Sequence, residues 1–181
     1  EWYTLDNAGV LYAALQRREY SANYRFSAVM KEDVDTLALQ RAIDRIRPRF
    51  PGFFARIRTG LFWYYLEPNR APGPFVREDV ADPCRPFSFR EDNGWLVRFF
   101  VYRRRISLEV FHALSDGAGA LVMFRALLAE YLRQRGYPIP PGSGPMDPDD
   151  APRSGELEDA YARYVGPRRA SSFCRQKAFA N

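Results

Sequence analysis

From residue 24 the chain alternates. Tyr24-Arg-Phe-Ser-Ala-Val-Met-Lys31 puts an apolar side chain at every second position over most of its length, the period of a strand with one face buried. Beyond it the period lengthens: Leu39, Ala42, Ile43, Ile46 and Phe50 recur three and four apart, so residues 36–47 are predicted to form a helix with one apolar stripe. Val34 and Asp35 stand where a hydrophobic staple and an N-cap belong, and Pro48 and Pro51 end the helix.

Strand-like runs then return. Phe54-Ala-Arg-Ile-Arg58 and Leu61-Phe-Trp-Tyr-Tyr-Leu66 flank Thr59-Gly60 as the arms of a hairpin. Residues 68–94 hold five prolines and two glycines, which predicts loop with little regular structure. Trp95–Tyr102 and Ile106–His112 predict a second hairpin, with Ile106, Leu108, Val110 and His112 on one face and His112 ending the strand. From Gly117 a helix is marked by Leu121, Phe124, Leu128, Tyr131 and Leu132; Ser115 or Asp116 caps it, and Gly136 and Pro138 stop it.

Residues 1–136 therefore form one domain. Residues 137–155, rich in Pro, Gly and Asp, read as a linker, and residues 156–181 as a C-terminal extension that starts with a short helix over Glu156–Tyr164. Strands outnumber helices and neighbouring strands are joined mostly by tight turns. The expected class is α/β, a two-layer sandwich with a mixed, largely antiparallel sheet and helices on one face.

Composition narrows the function. A chain of 181 residues buries roughly 70% of its unfolded surface and needs no metal or disulfide to fold. The two cysteines, Cys84 and Cys174, have no second Cys or His nearby, so neither a zinc site nor a disulfide framework is indicated, and reduced thiols in a cytoplasm are expected. The apolar runs are too short to span a membrane, and the N-terminus lacks a basic-then-apolar signal pattern, which agrees with a cytoplasmic protein. The net charge of +5 invites a nucleic-acid reading. Lysine, however, occurs only at Lys31 and Lys177, and the arginines are scattered among acids except at Arg103-Arg104-Arg105, which falls at a predicted turn. No nucleic-acid partner is expected; a dispersed arginine excess equally suits a phosphate-bearing ligand.

His112 is the only histidine, and it lies in Glu109-Val-Phe-His-Ala-Leu-Ser-Asp-Gly-Ala-Gly-Ala-Leu-Val122. The sequence has no Gly-x-Ser-x-Gly elbow and no P-loop, and Val122 stands where a dinucleotide-binding turn needs its third glycine. What remains is an imidazole at a strand end, ahead of a tight turn and a helix start. Neutral imidazole near pH 7 accepts a proton from a hydroxyl, thiol or amine. Asp116 is placed to cap the turn or pair with an arginine, and Gly117 and Gly119 let backbone or ligand approach closely.

His112-Ala-Leu-Ser-Asp116-Gly117 resembles the His-x-x-x-Asp-Gly motif of the CoA-dependent acyltransferase superfamily, the chloramphenicol acetyltransferase-like and condensation-domain proteins. With Ile-Ser-Leu-Glu-Val-Phe before it and Leu-Phe-Trp-Tyr-Tyr-Leu-Glu-Pro at 61–68, the chain looks most like bacterial alcohol acetyltransferase-like proteins. The resemblance implies that His112 is the general base, that Asp116 is structural and typically paired with an arginine, and that Gly117 keeps the turn compact. It implies no permanently bound cofactor, acyl-CoA as co-substrate and a hydroxyl-bearing small molecule as acceptor. Condensation domains usually carry a second histidine before the motif; Phe111 stands there, which argues against peptide-bond synthesis on carrier proteins. The resemblance covers only the first of the family's two halves. The expectation is the N-terminal half of an O-acyltransferase, its tunnel completed by a C-terminal half or a second chain. The alternative is a non-catalytic binding or regulatory module of the same fold.

Overall fold

The computed structural model describes residues 3–5, 7–16, 22–60, 64–140 and 147–151. Strand β1 (Tyr3–Thr4), helix α1 (Asn7–Leu15), strand β2 (Asn23–Val29) and helix α2 (Thr36–Ile46) come first. Strands β3 (Ala55–Thr59), β4 (Tyr64–Pro68), β5 (Val76–Glu78), β6 (Val97–Tyr102) and β7 (Arg105–Phe111) follow, and helix α3 (Gly117–Gln134) closes the domain. The strands form a four-stranded sheet in the order β2-β7-β6-β5 and a three-stranded one in the order β1-β4-β3. All pairs are antiparallel except β5 with β6, so the fold is α/β with a mixed sheet.

Alternation in β6 and β7 divides the larger sheet into two faces. Val97, Phe99, Val101, Ile106, Leu108 and Val110 point one way and are buried against α2 and α3. The predicted stripe of α2 supplies Leu39, Ala42, Ile43 and Ile46 to this core. Its N-cap is Asp35, whose Oδ1 accepts from Ala38 N at 2.9 Å. Leu121, expected in the apolar stripe of α3, is exposed; Ala120, Met123, Phe124, Ala126 and Leu127 form the buried face instead. Small residues at 120 and 126 let the helix approach the sheet closely, and they leave no hydrophobic signal of their own.

The second apolar cluster joins the smaller sheet, α1 and the far side of the larger one through Ala13, Ile57, Leu66, Phe87, Leu96 and Phe111. Helix α1 is apolar almost all round, so it has no stripe for the sequence to reveal.

Three expectations change. Residues 68–94 are not wholly irregular: β5 pairs in parallel with β6, and residues 92–94 make a short 3-10 turn. The first hairpin closes later than Thr59-Gly60 predicts, because Thr59 pairs with Tyr64 and residues 60–63 connect them; Leu61, Phe62 and Trp63 lie outside the described residues. Strand β7 stops at Phe111, and His112 opens the turn. The second hairpin turns as expected, on Arg103-Arg104, since Tyr102 pairs with Arg105. Of the predicted linker, residues 137–140 and 147–151 are described; Asp147 pairs with Arg133 and Asp149 with Arg45. The helix expected over 156–164 lies outside the described residues, as does Cys174.

The other face of the larger sheet buries charge. Glu109, 1% exposed, sits opposite Arg25 of β2 and Arg98 of β6, at 3.1 and 3.7 Å. Its Oε1 also accepts from Cys84 N at 2.7 Å. Asp79 lies beside it, 2.6 Å from Arg25 and 3.0 Å from Arg105. These bonds tie the segment between β5 and β6 to the sheet. Burial pushes the Asp79 carboxyl up, but hydrogen bonds from Arg25 and Arg105 outweigh it and hold the group below its ordinary value.

Removing Glu109 takes one anion from Arg25 and Arg98, which keep Asp79 and Asp92, and leaves Cys84 N without its acceptor, so Glu109→Ala is expected to cost about 1 to 3 kcal/mol in urea unfolding. Asp79 has a folded value below its unfolded value. Its contribution is therefore complete above about pH 4 and fades as pH falls through the folded value. The stability of Asp79→Asn should fall less than that of the parent across that window, which unfolding at stepped pH will measure.

Candidate active site

His112 sits where the two apolar clusters meet. Its backbone N–H donates to Ala22 O at 2.7 Å, extending the β2–β7 ladder by one bond beyond the strand. This fixes the start of the turn against β2. The register pairs Tyr24 with Val110, so Tyr24 is the diagonal neighbour of residue 112 on the same face.

The half-buried imidazole lies between two aromatic rings. Tyr12 of α1 stacks on it with centroids 4.6 Å apart and planes at 30°, and Tyr24 meets it edge-on at 5.1 Å and 71°. Among the described residues, neither ring nitrogen has a hydrogen-bond partner. Among the described residues both nitrogens are thus free of competing bonds, and the contacts on the ring are packing contacts.

Asp116 is the N-cap of α3, its Oδ1 accepting from Gly119 N at 2.8 Å. The side chain is exposed, and no arginine pairs with it among the described residues. Tyr24 Oη lies 3.0 Å from Ser115 O and 2.8 Å from Asp116 O, so one phenolic hydrogen serves two carbonyls. Burial, and then the Asp116 carboxylate, push the Tyr24 phenol above its ordinary range, and it stays a donor.

The motif glycine and the crowded glycine are different residues. A Cβ on Gly117 would meet only Phe26 Cζ, at 3.9 Å, an ordinary contact. A Cβ on Gly119 would overlap the Ser115 hydroxyl and lie 3.3 Å from Asp116 Oδ1. Local packing thus gives Gly119 a reason to lack a side chain and gives Gly117 none.

The structure brings His112, Asp116 and Gly117 into one turn. The two tyrosines around the imidazole were not identified from sequence. Tyr24 had a signal, its place on the apolar face of a predicted strand; Tyr12, on a helix without a stripe, had none.

No protein-family model matches this chain, and no curated protein matches it. Solved structures do. The starter condensation domain of rhizomide synthetase RzmA superposes with a TM-score of 0.61 at 14% identity, over 77% of this chain and 40% of that one. The fold is that of a condensation domain. The X-domain from teicoplanin biosynthesis gives 0.62 at 18% identity, over 84% of this chain and 35% of that one. Polyketide synthase associated protein 5 from Mycobacterium tuberculosis gives 0.55 at 15%, over 82% and 35%. A variant of the rhizomide domain was solved in complex with C8-CoA (0.60, 14%, 82% and 38%), and the X-domain in complex with OxyB (0.63, 17%, 84% and 35%). The chain spans two fifths or less of each of these solved chains. At such identities the likeness is one of fold. No helix among the described residues is long and apolar enough to cross a membrane, and no metal-ligating cluster occurs among them.

If Asp116 acts here as a cap, Asp116→Ala should lower stability by about 1 kcal/mol, while Asp116→Asn, which keeps an acceptor oxygen, should lose at most half of that. Thermal unfolding of the pair measures the difference; equal losses would assign the stability to charge rather than to the cap.

Proposed function

We propose that this chain is the base-bearing half of an acyl-CoA-dependent O-acyltransferase, with His112 as general base. The observation that carries the reading is an imidazole held in place at a strand end while both of its nitrogens are left unbonded among the described residues. A condensation-domain fold around it, and the C8-CoA held by a structural neighbour, support a thioester donor. In the reaction, a ring nitrogen takes the proton of the acceptor hydroxyl as its oxygen attacks the thioester carbonyl carbon. The carbon–sulfur bond then breaks, and the departing CoA sulfur receives the proton from the imidazolium. Asp116 and Gly117 are assigned to the shape of the turn, and the rest of the tunnel to a C-terminal half or a second chain.

A second reading has an observation of its own. The X-domain, a neighbour of equal similarity, was solved bound to another protein, OxyB, which favours a binding or regulatory module built on this fold.

The two readings separate in the full-length natural protein. Thiol release from acyl-CoA in the presence of a panel of alcohols should fall by about 10² to 10⁴ in turnover on His112→Ala. Release that is unchanged by the substitution would remove the base, and protein binding without any His112-dependent release would establish the module.

A further inference from the structure

We propose that Tyr24 and Tyr12 are positioning residues for His112, together replacing the hydrogen-bonded partner that usually orients a catalytic imidazole; the role rests on the reading of His112 as base. A general base has to present one nitrogen to its substrate, and two side-chain torsions decide where that nitrogen lies. Orientation is ordinarily imposed by a bond from the second nitrogen to a carboxylate or carbonyl. Here no such bond exists among the described residues, and Asp116, the nearest acid in the motif, spends its carboxylate on Gly119 N.

Two aromatic contacts take its place. Tyr12 covers one face of the imidazole at 4.6 Å with the planes at 30°, and this restrains the ring plane. Tyr24 meets the ring at 71° and restricts rotation within the turn. The Tyr12 stack consumes no nitrogen, because the lone pair and the N–H lie in the ring plane and the stack is on its face, and the Tyr24 hydroxyl is bonded to carbonyls rather than to the imidazole. Tyr24 has a second function. Its hydroxyl reaches Ser115 O and Asp116 O, so β2 is tied to the far end of the turn as well as to its start, where Ala22 O holds His112 N. The turn carrying the base is pinned at both ends to one strand.

The two tyrosines come from different parts of the molecule. Tyr24 packs with the α2–α3 core and Tyr12 with the cluster of the smaller sheet. The imidazole is thereby coupled to the packing of both clusters, and a shift of α1 against the larger sheet would reorient it.

The test uses the fact that the chain has one histidine. Selective isotope labelling of histidine gives the resonances of one imidazole alone for the parent chain, for Tyr24→Phe, which deletes only the hydroxyl, and for Tyr12→Leu, which deletes the stack but keeps apolar bulk. Tyr12→Leu is expected to move the imidazole resonances by removing the ring current of Tyr12. Tyr24→Phe is expected to broaden or split them and to speed amide exchange at residues 115–119. In the full-length protein both variants should lower kcat by about ten-fold with KM for acyl-CoA unchanged. Imidazole signals identical to the parent in both variants would overturn the clamp. If Tyr24→Phe fails to fold, Tyr12→Leu decides alone, by the presence or absence of the shift. Shifted signals in a protein without acyl transfer leave the clamp standing and remove the acyltransferase reading; transfer with full kcat in both variants does the reverse.

Discussion

The register of β2 on β7 is the constraint on which the rest of the molecule depends. Seven consecutive pairs, Asn23 with Phe111 through Val29 with Arg105, settle what lies on each face of the larger sheet. On one face they set Tyr24 diagonal to His112 and Phe26 against the core of α2 and α3. On the other they set Arg25 opposite Glu109 and Ser27 opposite Ser107, whose hydroxyls are 2.9 Å apart. A slip of one residue would carry Arg25 into the apolar core and Tyr24 away from the turn. Glu109 makes that slip costly, because its buried carboxylate would lose one of the two cations that flank it. The polar side of the sheet thus fixes the geometry of the face that carries Tyr24 and His112.

Much of this was legible in the chain because it is periodic. The stripe of α2 and the alternation of β6 and β7 follow from burial of one face, and caps such as Asp35 follow from the need to satisfy the first amides of a helix. What was not legible has specific causes. Helix α1 is apolar on all sides and so has no moment; β5 is three residues long and lies in a proline-rich stretch, where composition argues for loop. The site was half visible: the motif turn could be read from His112, Asp116 and Gly117, but Tyr12 and Tyr24 become neighbours of the imidazole only through pairing and packing across the chain. The glycines show the same division. The motif singles out Gly117, while the crowding that excludes a side chain is at Gly119, and only the folded turn shows it.

The scattered arginines gain meaning from the same structure. Arg25 and Arg98 are committed to Glu109, Arg56 and Arg58 to Glu67, and Arg77 to Asp92. Among the described residues these guanidinium groups are met by carboxylates within the fold, where they tie strands and loops together. Arginine suits this use because its planar fork satisfies a buried carboxylate and also stacks on aromatic rings, as Arg98 does over Phe87 at 4.0 Å and Arg25 over Phe100 at 5.1 Å.

Under the proposed reaction this arrangement divides the work between two halves of a larger site. Everything that orients the imidazole among the described residues belongs to this chain: the ladder bond to Ala22, the two tyrosines and the capped turn. The base is therefore preorganised before any second half is in place. A second half has no need to position His112. It has to bring a thioester carbonyl to an imidazole that this chain's own packing already holds. Such a division leaves proton transfer to this chain and donor and acceptor binding to the part that completes the site.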